Sequence, residues 1–307
     1  MVKEKQTIQQ RRTKLGQGSM KSALVNSAWQ RSTLGYKERF VDDFHYNNIR
    51  VRQFPCRAVF EKAVRDAFGS SFAFASNDDH LANTSRCYDD EVDNDRVPDT
   101  AFTVWESSIL LGMYASRRDV WKRLIGARKL HSPRPIVTLE LGSGTGVASL
   151  LVATSVVVWE SKCDCKVVMT DLPSTIDFTR LNVHTNIDMI PTHAQVVTQP
   201  LRWGRIEDIE ALPHDISRPD IIFGADLLYT CDESVICALA ETVILLTGRV
   251  AVFAVCKLHR PQSIAYFLSV VERYFHVRHV AVSTAHEHLM PSDEDYGLLE
   301  LWRKKLR

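Results

Sequence analysis

Apolar and polar positions repeat with two periods along this chain, and the switches between them lay out a succession of strands and helices. From Phe44 to Phe54 (FHYNNIRVRQF) the two classes alternate from Ile49 onward, which predicts a half-exposed strand. Residues 55–75 carry an Ala- and Phe-rich stretch of helical character. Val104–Lys129 spaces Trp105, Ile109, Leu110, Met113, Tyr114, Trp121, Leu124 and Ile125 at helical intervals. Its basic pairs, Arg117–Arg118 and Arg128–Lys129, suit helix C-terminal turns, and Pro133 and Pro135 stop the helix. A short apolar run then leads into glycines 142, 144 and 146 (IVTLELGSGTGV, Ile136–Val147). A run of this length containing Val and Thr reads as a buried strand, and Val147–Val158 is apolar enough for a helix packed on a sheet.

Beyond this turn, strands and helices alternate. Strands are predicted at Lys166–Thr170 (ending at Asp171), Ala194–Thr198, Asp220–Gly224 and Arg249–Cys256. Helices are predicted at Pro173–Ile187, Asp232–Leu246 and Pro261–Phe275, the first with Pro near its first turn. The alternation implies a mostly parallel, doubly wound sheet. Val277–Ser283 and Gly297–Trp302 finish it; the stretch between them, His286–Asp295, is helix-free, so they form an antiparallel pair. The expected fold is α/β: a Rossmann-like seven-stranded sheet with an antiparallel C-terminal hairpin and a partly disordered N-terminal extension. Three regions follow: a flexible basic tail at 1–40, an N-terminal strand plus acidic insertion at 41–101, and the α/β domain proper at 102–307.

Composition narrows the function classes. Apolar content of 45%, charged content of 24% and a net charge of +1 describe an ordinary soluble globular chain. The whole-protein field gives no argument for nucleic acid or membrane. The chain has no apolar run of 18 residues or more and no signal-peptide core. Residues 1–39 hold nine Lys/Arg against Glu4 and Glu38 and read as a flexible tail, with a mitochondrial presequence as the alternative. Residues 77–99 crowd eight acidic residues among few large apolar ones, a solvated loop or an acidic docking surface. Seven scattered cysteines suit reduced thiols in the cytosol or nucleus. Cys163 and Cys165 form a C-x-C pair with no second pair at zinc-site spacing, and His276, His279, His286 and His288 read as solvated hairpin residues, so no metal is expected.

The chemistry concentrates at strand ends. Strand, glycine turn and helix is how an α/β protein holds a nucleotide-like ligand, and the glycines let backbone approach it closely. The spacing is G-x-G-x-G, not the G-x-G-x-x-G of dinucleotide folds, and the C-terminal hairpin also departs from those folds. An acidic residue at the end of the second strand of the alternation, Asp171 in MTDLP, has the geometry to accept hydrogen bonds from both ribose hydroxyls; capping the following helix is its structural alternative.

Read in order, these motifs resemble the seven-β-strand protein-lysine methyltransferases acting on non-histone proteins, methyltransferase family 16. FHYNNIRVRQ resembles the family's N-terminal strand and VWESSILLGMYA its tryptophan-led helix. LELGSGTG resembles its cofactor loop, TDLP its ribose-binding strand end, FTRLNVHTN its helix with paired asparagines (Asn182 and Asn186), LRWG its Leu-x-Trp-Gly segment, and DIIFGADLLY its strand with Asp-x-x-Tyr. The resemblance implies S-adenosylmethionine as cofactor. It implies that Gly142 and Gly144 pass under the methionine part and that Glu140 holds that part through the loop. Asp171 would take the ribose hydroxyls, Trp203 the adenine, Ala225 would line the site by backbone, and Trp105 would close it. Read without the resemblance, both tryptophans would be core residues.

The resemblance further implies that Asp226 and Tyr229 attract and orient a cationic lysine side chain, whose proton leaves to water or with help from Asp226. Loop capping and packing are the bland alternatives. Enzymes that methylate amino groups of nucleic-acid bases usually carry Asn/Asp-Pro-Pro-Tyr/Phe here; Asp226-Leu227-Leu228-Tyr229 has no proline, so a nucleic-acid partner is not expected. Three departures from the family stand out: extra length at Val156–Lys166, the interruption at residues 54–101, and Lys257 where an Arg is common. The expected function is an S-adenosylmethionine-dependent protein-lysine N-methyltransferase, monomeric, cytoplasmic or also nuclear, with a protein substrate. The alternatives are a methyltransferase for a small molecule or non-lysine side chain, or a cofactor-binding interaction module.

Overall fold

The computed structural model describes residues 43–46, 49–54, 57–74, 100–126, 134–155, 164–258, 261–282 and 294–305. The basic segment 1–40, the acidic segment 77–99, Cys163, His286, His288 and most of the extra length at Val156–Lys166 lie outside the described residues.

The alternating N-terminal stretch is a hairpin, not one strand. β1 (Phe44–Tyr46) pairs antiparallel with β2 (Ile49–Val51). Phe44, Tyr46, Ile49 and Val51 turn inward while His45 and Arg50 face out, which is the period of two read from sequence. Helix α1 (Arg57–Phe68) follows.

The single helix expected over Val104–Lys129 is two. In α2 (Glu106–Ala115) every residue is buried, and α3 (Arg118–Ile125) is amphipathic. Arg117 takes an extended backbone between them (φ −74°, ψ 135°), and its guanidinium meets Asp119 in the first turn of α3. α2 lies against the helix after the glycine turn so closely that a Cβ on Gly112 would stand 2.6 Å from Leu151 Cδ1.

The main sheet runs β5 (Ala194–Pro200), β4 (Cys165–Asp171), β3 (Ile136–Leu141), β6 (Ile221–Ala225), β7 (Val250–Cys256), β9 (Tyr296–Arg303), β8 (Phe275–Val280). β5, β4, β3, β6 and β7 are parallel, and β9 runs antiparallel between β7 and β8, as the helix-free connection required. Helices α4 (Val147–Ala153) and α5 (Ile176–Thr185) follow β3 and β4. The short α6 (Ile206–Glu210), not foreseen from sequence, follows β5, and α7 (Glu233–Leu246) and α8 (Pro261–Val271) follow β6 and β7. Adjacent residues of one strand enter different cores: Ile136 packs with α2, α3 and α4, while Val137, Leu139 and Leu141 pack with α7 and α8. Burial on both faces produces the unbroken apolar run of β7 and leaves all of β3 buried, Thr138 and Glu140 included.

Three boundaries move for local reasons. Pro173 lies in a turn closed by Thr175 N–H donating to Leu172 O, so α5 starts at Ile176. α4 ends at Ala153, where Thr154 Oγ1 donates back to Leu150 O. Phe275 opens β8 instead of closing α8, because Tyr274 N–H already ends the helix on Val271 O.

One buried charge ties the C-terminal hairpin to the helices. The Glu300 side chain, 0% exposed on β9, accepts from Tyr114 Oη at 2.6 Å, Arg123 Nη1 at 2.6 and 2.7 Å, Trp302 Nε1 at 3.0 Å and Arg278 Nη1 at 3.3 Å. Burial pushes its carboxyl up, but the hydrogen bonds from Arg123, Tyr114 and Trp302 outweigh that and hold it below the usual range. Burial and the neighbouring Glu300 push the Tyr114 phenol up to about 12. A depressed carboxyl contributes stability above its unfolded pKa and loses it as pH falls through the folded one. Glu300→Gln is therefore expected to cost about 1–2 kcal/mol near neutral pH, since it takes the charged acceptor from Tyr114 and from the part-exposed Arg123 guanidinium. It should also flatten the acid limb of the stability curve, as measured by urea unfolding across pH 3–7.

Candidate functional site

From β3 the chain crosses to β4 on one side, while β6 lies on the other, so a crevice opens where the strand order reverses. The glycine turn sits at its floor. Gly142 and Gly144 hold φ of +56° and +48°, and Gly146, at +78°, is the N-cap of α4. A Cβ on Gly142 would stand 2.7 Å from Leu227 Cδ2 and 3.0 Å from Trp203 Cζ2, and one on Gly144 3.3 Å from Ala101 O. Glycine is thus required twice over, for the left-handed backbone and for the approach of neighbours on both sides.

Asp171, at the end of β4, locks onto this turn. Its Oδ2 accepts Gly144 N–H at 2.6 Å and its Oδ1 accepts Leu172 N–H at 2.8 Å. It does not cap the α5 N-terminus, where Thr175 holds the N-cap position and makes no side-chain cap bond. Thr179 Oγ1 donates to Gly144 O, and Thr170 Oγ1 donates to Glu140 O. The paired asparagines are clips. Asn182 Oδ1 accepts Arg52 N–H while its Nδ2 donates to Thr145 O, and Asn186 bonds both backbone groups of Arg50. They fasten the N-terminal hairpin to the back of the turn, a role the motif spacing alone does not state.

The two tryptophans flank the crevice. Trp203 is half-buried and approaches Gly142 from the β5 side. Arg202 is pinned by a two-pronged bond to Asp208 on α6, and Gly204 donates to Thr242 on α7. Trp105 is the N-cap of α2, and its Nε1 donates to Thr100 O at 2.9 Å. That bond holds the Thr100–Phe102 turn against Gly144, on a cluster of Phe54, Phe60, Phe102 and Phe178. Sequence reasoning missed this wall; the run of phenylalanines between 54 and 74 was its signal.

Glu140 is buried on β3, with Oε2 accepting Ser149 N–H at 3.2 Å. Burial first, then the Asp171 charge, raises its pKa from 4.5 to about 7. A raised carboxyl makes its full contribution below the unfolded value and loses it as pH climbs through the folded one. The apo protein is therefore expected to lose stability between about pH 4.5 and 7 from this residue. Glu140→Gln should remove that slope, a difference readable by thermal unfolding over this range.

At the end of β6 the backbone does something unusual. Among the described residues Asp226 is the one non-glycine with positive φ, +57°. Its N–H donates to Ala254 O, and its Oδ1 accepts Cys256 N–H at 3.3 Å. The left-handed kink stops β6 at Ala225 and sends Leu227 over Gly142, where Gly224 leaves room for Leu227 and Phe253. Strain of this kind, about 1–3 kcal/mol, persists where the surroundings impose it and clusters at functional sites. Tyr229 emerges 51% exposed, and Ala225 is half-buried beside the crevice.

The crevice therefore gathers Glu140, Gly142, Gly144, Asp171, Trp203, Ala225 and Asp226, with Trp105 on its Thr100 side and Tyr229 at its surface. These residues fit S-adenosylmethionine. The Asp171 carboxylate, fixed at the end of β4 by the Gly144 and Leu172 N–H groups, is a charged acceptor of the kind ribose hydroxyls need, and the Trp203 face suits a flat base.

Residues 89–274 match the model of a family described as lysine methyltransferase, more than half of the chain. The fold is similar to several solved structures. A CurJ carbon methyltransferase is 16% identical with a TM-score of 0.44, over 66% of this chain and 56% of that one. A putative class I S-adenosylmethionine-dependent methyltransferase from Listeria monocytogenes is 12% identical with a TM-score of 0.45, over 68% and 63%. The magnesium protoporphyrin IX methyltransferase of Synechocystis PCC 6803, solved with bound S-adenosylmethionine, is 14% identical with a TM-score of 0.40, over 65% and 83%. The chain thus spans less than two thirds of the first two, and likenesses at this level say nothing of substrate.

Proposed function

Because the chain belongs to the lysine methyltransferase family, we propose that it is an S-adenosylmethionine-dependent protein-lysine N-methyltransferase acting on a non-histone protein. The observation that carries this is the strained Asp226, set beside the glycine turn by Leu227 with the exposed Tyr229 three residues on. When bound, S-adenosylmethionine supplies a sulfonium-activated methyl group. Gly142 and Gly144 hold its methionine part by backbone, with Glu140 bracing the loop, and Asp171 takes the ribose hydroxyls. Trp203 packs on the adenine, Ala225 lines the middle and Trp105 closes the Thr100 side.

Asp226 and the Tyr229 face attract the lysine ammonium and aim it in line with the methyl carbon. The ammonium gives up its proton to water or with help from Asp226, and the freed amine is the group that would accept the methyl the bound cofactor supplies. The protein's contribution is positioning and water exclusion, with Asp226 as the carboxylate that orients the ammonium. A compartment that keeps thiols reduced, the cytoplasm, agrees with Cys165, Cys231 and Cys237, which are thiols rather than disulfides among the described residues. No helix among the described residues is long and apolar enough to cross a membrane.

The decisive experiment adds purified full chain and methyl-labelled S-adenosylmethionine to a cell lysate, then maps label by mass spectrometry. Label on lysine ε-nitrogens of a discrete protein set is the expected result. Label confined to small molecules or to other side chains overturns the lysine assignment, and no transfer despite cofactor binding favours an interaction module.

A further inference from the structure

The far end of the sheet carries a second concavity. A cleft of about 580 Å³ opens there, within the range of about 300–1,000 Å³ typical of small-molecule sites, and Arg134, Arg218, Arg249 and Arg303 all line it. Arg134 precedes β3, Arg218 lies just before β6, Arg249 precedes β7, and Arg303 ends the antiparallel β9. All four thus gather at the N-terminal edge of the parallel strands, a sheet's length from the glycine turn.

The arginines come in two tied pairs. Arg303 N–H donates to Arg249 O, and Arg134 Nη2 donates to Arg218 O. The first pair is also held by its side chains. Arg249 Nε donates to Leu124 O while its guanidinium lies over the Trp302 ring. Arg303 Nη1 donates to Ile244 O while its guanidinium lies over the Phe275 ring. A fixed guanidinium loses less entropy per hydrogen bond it later makes. Asp220 is the acid of the lining, and its Oδ2 already accepts Val137 N–H at 2.9 Å. Arg218, Arg249 and Arg303 make no ion pair among the described residues. The like charges of Arg218, Arg249 and Arg303 repel one another, and a multiply charged anion would offset that repulsion while matching the forks two bonds at a time.

We propose that this cleft binds a phosphate-bearing small molecule at a site separate from methyl transfer. Inorganic pyrophosphate serves as probe, titrated into the full chain by calorimetry at low and physiological salt. Saturable one-to-one binding that weakens with salt is expected, with affinity at least about tenfold lower in Arg218→Ala and in Arg249→Ala, the effect of losing one charged contact. Arg218 is exposed and donates no side-chain hydrogen bond within the described structure, so its variant keeps the fold, checked by an unchanged Tm; it carries the test alone if Arg249→Ala fails to fold. Absence of binding, or equal affinity in Arg218→Ala, overturns the site. Citrate binding as tightly as pyrophosphate overturns the phosphate assignment. Neither outcome touches the proposed lysine chemistry, which concerns the opposite end of the sheet.

Discussion

Asp226→Asn is expected to lower methyl transfer to the protein substrate by about 100-fold or more while leaving S-adenosylmethionine affinity within about twofold, since a misplaced nucleophile costs on that order. Asparagine is the informative replacement. It keeps the size of the side chain and tolerates the left-handed backbone that Asp226 holds at +57°, so the fold survives. What it loses is the negative charge that, in the proposed mechanism, faces the incoming ammonium. Alanine would confound the result, because a Cβ without a local hydrogen-bonding group costs about 1–2 kcal/mol in that conformation. Steady-state kinetics on a lysine peptide, with cofactor affinity measured separately, distinguish the two effects. Full transfer by the Asn variant would show that Asp226 merely ends β6.

Asp171→Ala is expected to weaken S-adenosylmethionine binding by about 100-fold, the equivalent of about 3 kcal/mol for two charge-assisted hydrogen bonds. The same substitution also frees Gly144 N–H and Leu172 N–H, which now donate to its carboxylate at 2.6 and 2.8 Å. Part of the loss is therefore a loosened glycine turn. The two contributions separate in Asp171→Asn, where one oxygen still accepts a backbone N–H; it should retain more stability than the Ala variant yet bind the cofactor poorly. Calorimetry with S-adenosylmethionine, paired with urea unfolding, reads both. Equal binding by wild type and Asp171→Ala would move the ribose elsewhere.

The strands of the main sheet were legible because they are buried on both faces or punctuated by glycine, proline and aspartate. Boundaries failed where a tertiary contact outvoted a local pattern. The period of Val104–Lys129 is helical throughout, and the turn at Ser116–Arg117 that divides it was marked in sequence only by the basic pair Arg117–Arg118. Pro173 suits a helix start, but the turn of Leu172–Thr175 takes it first. Asn182 and Asn186 stood out as a motif, and only the fold shows that their amides reach back more than a hundred residues to Arg50 and Arg52. The four-arginine cleft was invisible in the sequence, because its residues lie far apart along the chain and meet only through strand order.

Sequence by itself determined the fold class, the position of the glycine turn and the acids at the ends of β4 and β6. These are dictated by short-range rules: which residues fill a buried strand, which turn, and which carry charge at a strand's end. Tertiary structure decided how those pieces face one another. Crossing β3 to β4 on one side and leaving β6 on the other brings Asp171, the glycines and Asp226 to one crevice, and the kink at Asp226 lays Leu227 on Gly142. Distance in space is set by strand order and packing, and neither is written in any local window of residues.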